Sequence, residues 1–163
     1  MKTLLILRHA KSSWDDSSLP DHDRPLNRRG RQDAPRIGEL IRTLDVVPDL
    51  IVSSTAVRAR RTAELVGEHS GYTEQILLAG DLFHAAVEDY IAVLRTLPPE
   101  IDIAMIVGHN PDLEELLEDL TGALERMPTA ALARIALPIA DWSELNLGTK
   151  GELKGLWRPK ELT

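Results

Sequence analysis

The chain contains no cysteine. Disulfides and thiolate chemistry therefore carry neither its fold nor its function. Long hydrophobic runs are also missing. The amino-terminal stretch Thr3–Leu7 is the first apolar run, and it is too short for a signal peptide or a membrane span. The expectation is a cytoplasmic protein with no membrane partner. No internal repeat, low-complexity tract or domain linker interrupts the 163 residues. That length fits one domain with a sizeable core. An excess of positive charge is lacking too. The net charge is −7, which argues against general nucleic-acid binding. The charge is unevenly spread, however. Residues 1–36 carry eight Lys/Arg against five Asp/Glu, and the remainder carries eleven against twenty-one. A locally basic region on an acidic chain suits a small or local anion.

What is present is a series of short apolar runs, each ending in polar residues. Thr3–Leu7 runs into Arg8-His9 and reads as a buried, parallel, central strand. Ligands of open α/β sheets bind just beyond the carboxyl ends of strands. Arg8 and His9 stand at such an end, although the pair alone could simply close an ordinary strand. Ser12 to Asn27 lacks periodicity and reads as a loop over the same edge. Asp21-His22-Asp23 within it could suggest a metal site. Adjacent residues rarely aim at one ion and no distant ligand set is evident, so a solvated loop is the reading and no metal is expected.

Asn27 to Leu44 reads as a helix with Ala34, Ile37, Ile41 and Leu44 in one stripe. Pro35 is awkward inside it and suggests that Gly30–Asp33 is loose and that the proline marks the first turn. Leu50–Val52 is a second buried strand. Ser53-Ser54-Thr55 would then cap the next helix, which places Arg58 in its first turn. An arginine there opposes the helix dipole, a cost that is tolerable if Arg58 and the free backbone N–H groups together bind an anion. Ile76–Leu78 is a short strand or extended segment, and Asp81–His84 a loop. A helix follows from Ala86 to Leu97. Ile103–Val107 is the third buried strand, ending in Gly108-His109-Asn110. Asn110 as N-cap, Pro111 at the first position and Leu113, Leu116, Leu117 and Leu120 as the buried stripe define another helix. Strands are expected at Ala133–Leu137 and Leu153–Trp157, the last antiparallel at an edge. Repeated strand-turn-helix units predict an α/β three-layer sandwich, a mostly parallel central sheet with helices on both faces.

Three strand ends thus offer Arg8-His9, Arg58 and His109. In this order and context the motifs resemble those of the histidine phosphatase superfamily, the phosphoglycerate mutase-like fold. Arg8-His9-Ala10 resembles its Arg-His-Gly signature, with alanine for glycine. Ser53 to Ala63 resembles its second motif, and Gly108-His109-Asn110 its late Gly-His motif. The stretch from Arg8 to Trp14 and from Asp23 to Asn27 is most similar to the small SixA-type phosphohistidine phosphatases, without room for a cap insertion. The resemblance implies a single domain over 1–163 and His9 as a nucleophile that becomes phosphohistidine. Arg8, Arg58 and His109 would hold the phosphoryl oxygens, with Arg24 as a further contact and Lys11 as a weaker candidate. It implies no metal and no cofactor. Partners would be a phosphorylated protein, such as a histidine-containing phosphotransfer domain, or a small phosphoester, and the protein would be a monomer. Many relatives place a glutamate acid in a Leu-x-Glu element. Here the run is Leu82-Phe83-His84, so His84 stands in that place, with Asp81 and Glu88 as other candidates. A neutral imidazole can attack phosphorus, and nearby arginines disfavour its protonated form. A weak acid matters less for a phosphoramidate, whose imidazole leaving group is easily protonated. The leading expectation is a metal-independent phosphohistidine phosphatase. The alternatives are a small-molecule phosphomonoesterase of the same fold and a non-catalytic phosphoprotein-binding module.

Overall fold

A computed structural model describes residues 1–162. Six strands form one sheet: β1 (Lys2–Arg8), β2 (Leu50–Ser54), β3 (Ile76–Ala79), β4 (Ile103–Gly108), β5 (Leu132–Leu137) and β6 (Glu152–Trp157). Their order across the sheet is β3-β2-β4-β1-β5-β6. The pairs β3/β2, β2/β4 and β4/β1 are parallel, whereas β5 and β6 run antiparallel. Among the described residues the α-helices are α1 (Arg28–Thr43), α2 (Val57–Ser70), α3 (Val87–Arg95) and α4 (Asp112–Thr121).

The sheet is buried on both faces because its central strands are apolar on both. Leu4 and Ile6 of β1, with Ala104 and Ile106 of β4, pack beneath α3 and α4, alongside the buried Trp142. Leu5 and Leu7, with Met105 and Val107, pack beneath α1 and α2. This double burial makes β1 and β4 read as continuous apolar runs rather than alternating ones. It is the three-layer α/β architecture that the sequence predicts.

Four local expectations need correction. First, α1 begins at Arg28, capped by the Asn27 side chain, which accepts the Gly30 N–H at 2.9 Å, and Pro35 lies well inside it. Proline costs that helix a bond to the Arg31 carbonyl. Packing overrides the penalty: α1 lies so close to α2 that a Cβ on Gly38 would run into the Val66 carbonyl and the His69 side chain. Second, the hydroxyls after β2 do not cap α2. Its N-cap is Ala56, without a side-chain bond. Third, Asn110 does not cap α4, whose N-cap is Pro111. The Asn110 amide instead donates to Glu114 Oε2 and the Met127 carbonyl. Fourth, α3 stops at Arg95 and β5 starts at Leu132. Among the described residues, no helix is long and apolar enough to cross a membrane.

Candidate active site

Register brings the candidate residues together. Arg8 pairs with Gly108 across β1 and β4, so His9 and His109 leave adjacent strands side by side. Their ring centroids are 5.1 Å apart. The His9 N–H donates to the Gly108 carbonyl at 3.1 Å. Ser53 of β2 pairs with Val107 of β4, which sets Ser54 and the start of α2, with Arg58, on the other side of His109. Arg8, His9, Arg24, Arg58 and His109 line one cleft of about 290 Å³, with Lys11, Trp14 and Thr129 at its walls. No Asp or Glu is among its lining residues. Larger hollows beside α3 contain none of these groups.

His9 is buried, and its Nδ1 lies 2.8 Å from the Ala10 carbonyl. A carbonyl only accepts, so Nδ1 carries the proton and Nε2 keeps its lone pair. The ring is held far below the ordinary histidine range, at about 3. Burial is the leading cause, followed among the lowering influences by His109, Arg58 and Arg8. The sequence expectation credits the arginines alone. Removal from water contributes more than their field. The backbone at His9 is pinned from the opposite side as well. Ala130, in the left-handed region at φ 62°, donates its N–H to both the Arg8 and His9 carbonyls.

His109 is likewise pushed down to about 4, by burial first and then by Arg58. Its Nε2 lies 2.8 Å from Ser54 Oγ. That hydroxyl accepts the Ala56 N–H at 3.2 Å, and its own proton has His109 Nε2 as acceptor. Nδ1 of His109 is then an N–H donor. It is buried without a partner, as are Nε of Arg8 and Nε of Arg58. Buried donors without acceptors are rare and costly. All three belong to residues that line one cleft, whose guanidinium and imidazole groups are suited to an anion's oxygens. Burial also lowers both guanidiniums from their usual range, yet arginine keeps its charge at neutral pH.

Arg24 is buried. It donates through Nη1 to Ser12 Oγ and the Ser13 carbonyl, and through Nε to Asp21 Oδ1. The exposed Trp14 ring lies 3.5 Å from its guanidinium carbon. Asp21 is exposed, as expected of a loop residue, yet it is paired with protein groups. Its carbonyl and carboxylate also accept from Arg58 Nη1 and Nη2, at 2.6 and 3.1 Å. His22 bonds Thr55 Oγ1 at 2.9 Å. Among the described residues, no group of three metal-ligating side chains converges.

His84 is not brought into the cleft lining. It is exposed at φ 58°, its ring 4.0 Å from that of Phe83, which in turn lies 5.5 Å from His109. Asp81 and Glu88 face the hollows beside α3 instead. Sequence reasoning missed Ser54 as a partner of His109. It also missed Thr62, whose hydroxyl donates to the Arg58 carbonyl and accepts the Ala10 N–H. Tyr90 was expected only on the buried stripe of its helix, with Val87, Ile91 and Leu94, and its polar role was missed. It is fully buried, donates to Asp112 Oδ2 at 2.6 Å and accepts the His109 N–H at 3.3 Å. Ser54 and Thr62, both inside the second motif, carried a local signal; the polar role of Tyr90 carried none.

A mostly parallel α/β sheet whose strand ends gather two neutral histidines with Arg8 and Arg58 defines a phosphoryl-handling protein. Comparison with known proteins agrees. Residues 4–82 match the model of the histidine phosphatase superfamily (branch 1), a span that includes Arg8, His9 and Arg58. A chloroplastic protein of Arabidopsis thaliana, itself uncharacterized, is 34% identical over 152 residues, covering 88% of this chain and 70% of that one. The crystal structure of a candidate phosphohistidine phosphatase SixA from Agrobacterium tumefaciens superposes with a TM-score of 0.83 at 28% identity, over 97% of this chain and 98% of that one. The structure of the protein histidine phosphatase SixA complexed with tungstate shares the fold, with a TM-score of 0.84 at 22% identity and 99% coverage of both chains. The chain belongs to the histidine phosphatase superfamily, in its small SixA-type branch, and its fold and family mark it as a phosphatase.

Proposed function

We propose that the protein removes the phosphoryl group from phosphohistidine on a protein, through a phosphorylated His9. One observation carries this reading: a neutral His9, with its Nε2 lone pair free, stands beside unmatched N–H donors of Arg8, Arg58 and His109 in a cleft without carboxylates. Phosphoryl transfer needs an in-line nucleophile and donors around the equatorial oxygens. In the first step Nε2 attacks phosphorus and the bond from phosphorus to the substrate nitrogen breaks. The leaving imidazole takes a proton from solvent. In the second step water attacks phospho-His9, the new P–N bond breaks, and phosphate departs with Nε2 restored as a lone pair. Arg8, Arg58, Arg24 and the Nδ1–H of His109 hold the oxygens, so the positive charge comes from the chain and no metal is required.

A cleft lined by no carboxylic acid favours a phosphoramidate over an ester, because an ester oxygen leaves poorly unless it is protonated. The test is to incubate the protein with a phosphorylated histidine-containing carrier domain and with p-nitrophenyl phosphate, each with and without a chelator. Turnover of the carrier, insensitive to chelator and abolished by His9→Ala, is expected. Faster turnover of the ester would shift the reading to a phosphomonoesterase. Full activity of His9→Ala would remove His9 as nucleophile, and binding without turnover would leave a phosphoprotein-binding module.

A further inference from the structure

A carboxylate next to phosphate-facing arginines is an anomaly, since it repels the anion that those arginines are there to attract. Among the described residues, Asp21 is the acidic side chain paired with both Arg24 and Arg58. Two explanations compete. Asp21 could stand in for the phosphoryl group and leave when substrate arrives, or it could brace the arginines from behind. Its position decides. Asp21 is not among the residues lining the cleft, although both of its arginine partners are. It lies in the short 3-10 turn Asp21–Asp23, with its backbone carbonyl as well as its carboxylate engaged.

The pattern of bonds is directional. Asp21 takes the Nη1 and Nη2 ends of the Arg58 fork and leaves the buried Nε–H unmatched. It takes the Nε of Arg24, while Ser12 and Ser13 take Nη1. Nη2 of Arg24 therefore stays unengaged by protein. One carboxylate thus spans two guanidiniums that would otherwise repel each other, and fixes both through bonds that leave a donor of each unused. We propose that Asp21 is a positioning residue for phosphoryl binding, acting through Arg24 and Arg58 rather than on substrate. This assignment rests on the phosphoryl-binding reading of the cleft.

Two readouts separate the assignment from the reading beneath it. Tungstate, an oxyanion that mimics phosphate, reports on the cradle without any substrate. The kcat/KM of the wild type on phosphorylated carrier domain reports on the function. With Asp21→Ala, tungstate affinity and kcat/KM are expected to fall together by about ten- to a hundred-fold, the range in which residues orienting a binding group act. Asp21→Asn keeps the shape and one acceptor but lacks the charge, and it should fall in the same direction. It also serves if the alanine variant fails to fold. In an Arg24→Ala background Asp21→Asn should cost less than in the wild type, because one of its two partners is gone. Tungstate affinity within two-fold of wild type in Asp21→Asn would overturn the assignment. So would equal costs in the two backgrounds, which would mean that Asp21 only holds its loop. A wild type that binds tungstate but leaves phosphohistidine intact would defeat the substrate reading, and the binding series would still test Asp21.

Discussion

Gly108 is the last residue of β4 and the one before His109, and its replacement by alanine probes how His109 is held. A Cβ there would overlap the Tyr90 hydroxyl and sit 3.0 Å from ring carbons Cε1 and Cζ. Tyr90 has no room to give, since it is fully buried between α3 and the sheet. Overpacking of this kind costs about 1–3 kcal/mol. If the ring retreats, the buried Asp112 carboxylate loses its 2.6 Å donor, which adds roughly 1–3 kcal/mol. Gly108→Ala should therefore destabilise by about 2–5 kcal/mol, a large share of the roughly 5–15 kcal/mol available to a domain. Urea denaturation followed by tryptophan fluorescence measures this, with the buried Trp142 as reporter and an unchanged m-value as the check on two-state behaviour. The discriminating experiment is the cycle with Tyr90→Phe. Removing the hydroxyl takes away the worst overlap, so Gly108→Ala should cost at least about 1 kcal/mol less in the Tyr90→Phe background. Equal costs in both backgrounds would refute the reasoning, because the damage would then come from the strand and not from the phenol.

The pH dependence of stability has a defined sign. His9 and His109 titrate at about 3 and about 4 in the folded protein, and near 6.5 when unfolded. The unfolded chain therefore binds more protons between those values. The stability these histidines contribute is complete above pH ~6.5 and drains as pH falls toward their folded values, at about 1.4 kcal/mol per pH unit for each. Urea midpoints at pH 7, 6 and 5 should show that slope, and His9→Gln should flatten it. Ser54→Ala removes the partner of His109 Nε2 and frees the ring to take either tautomer. Stability should drop by only about 1 kcal/mol, while kcat/KM falls by a larger factor. A loss confined to stability would show that the tautomer of His109 is set elsewhere.

The core of this fold was legible because β1, β2 and β4 are buried on both faces and carry no polar residue until their ends. The edge strand β3 was read only as a short strand or extended segment, because its apolar run Ile76–Ala79 is brief, and Leu77 and Leu78 prove to be exposed on it. Cap readings failed at Ser53–Thr55 and at Asn110 for one shared reason. Their polar groups are drawn to partners far along the chain, His109 for Ser54, Met127 for Asn110, and local propensity cannot register such a pull. The same limit explains the site. Arg8, His9, Arg58 and His109 could be read because each follows an apolar strand, a local signature. The roles of Asp21, Ser54 and Tyr90 could not, because they exist only between positions 37, 55 and 19 residues apart in the chain. By its neighbours alone, Asp21 even reads as part of a solvated acidic loop.

The placement of His84 bears on the chemistry more than any other departure. The sequence has a histidine where many relatives carry an acid, yet its ring stays outside the cleft with Phe83 against it. The two histidines inside the cleft are neutral at physiological pH, and Nδ1 of His9 has its proton committed to a carbonyl. On the proposed reading, then, the cleft commits its groups to the phosphoryl oxygens and to keeping Nε2 unprotonated, and none to the leaving group. A site arranged in that way accelerates transfer only from a donor that departs readily without an enzyme-bound acid. A phosphorylated imidazole meets that condition and an alkyl phosphate does not. On that reading the missing acid, which at the level of sequence looks like a gap in the catalytic set, is the feature that favours the proposed substrate.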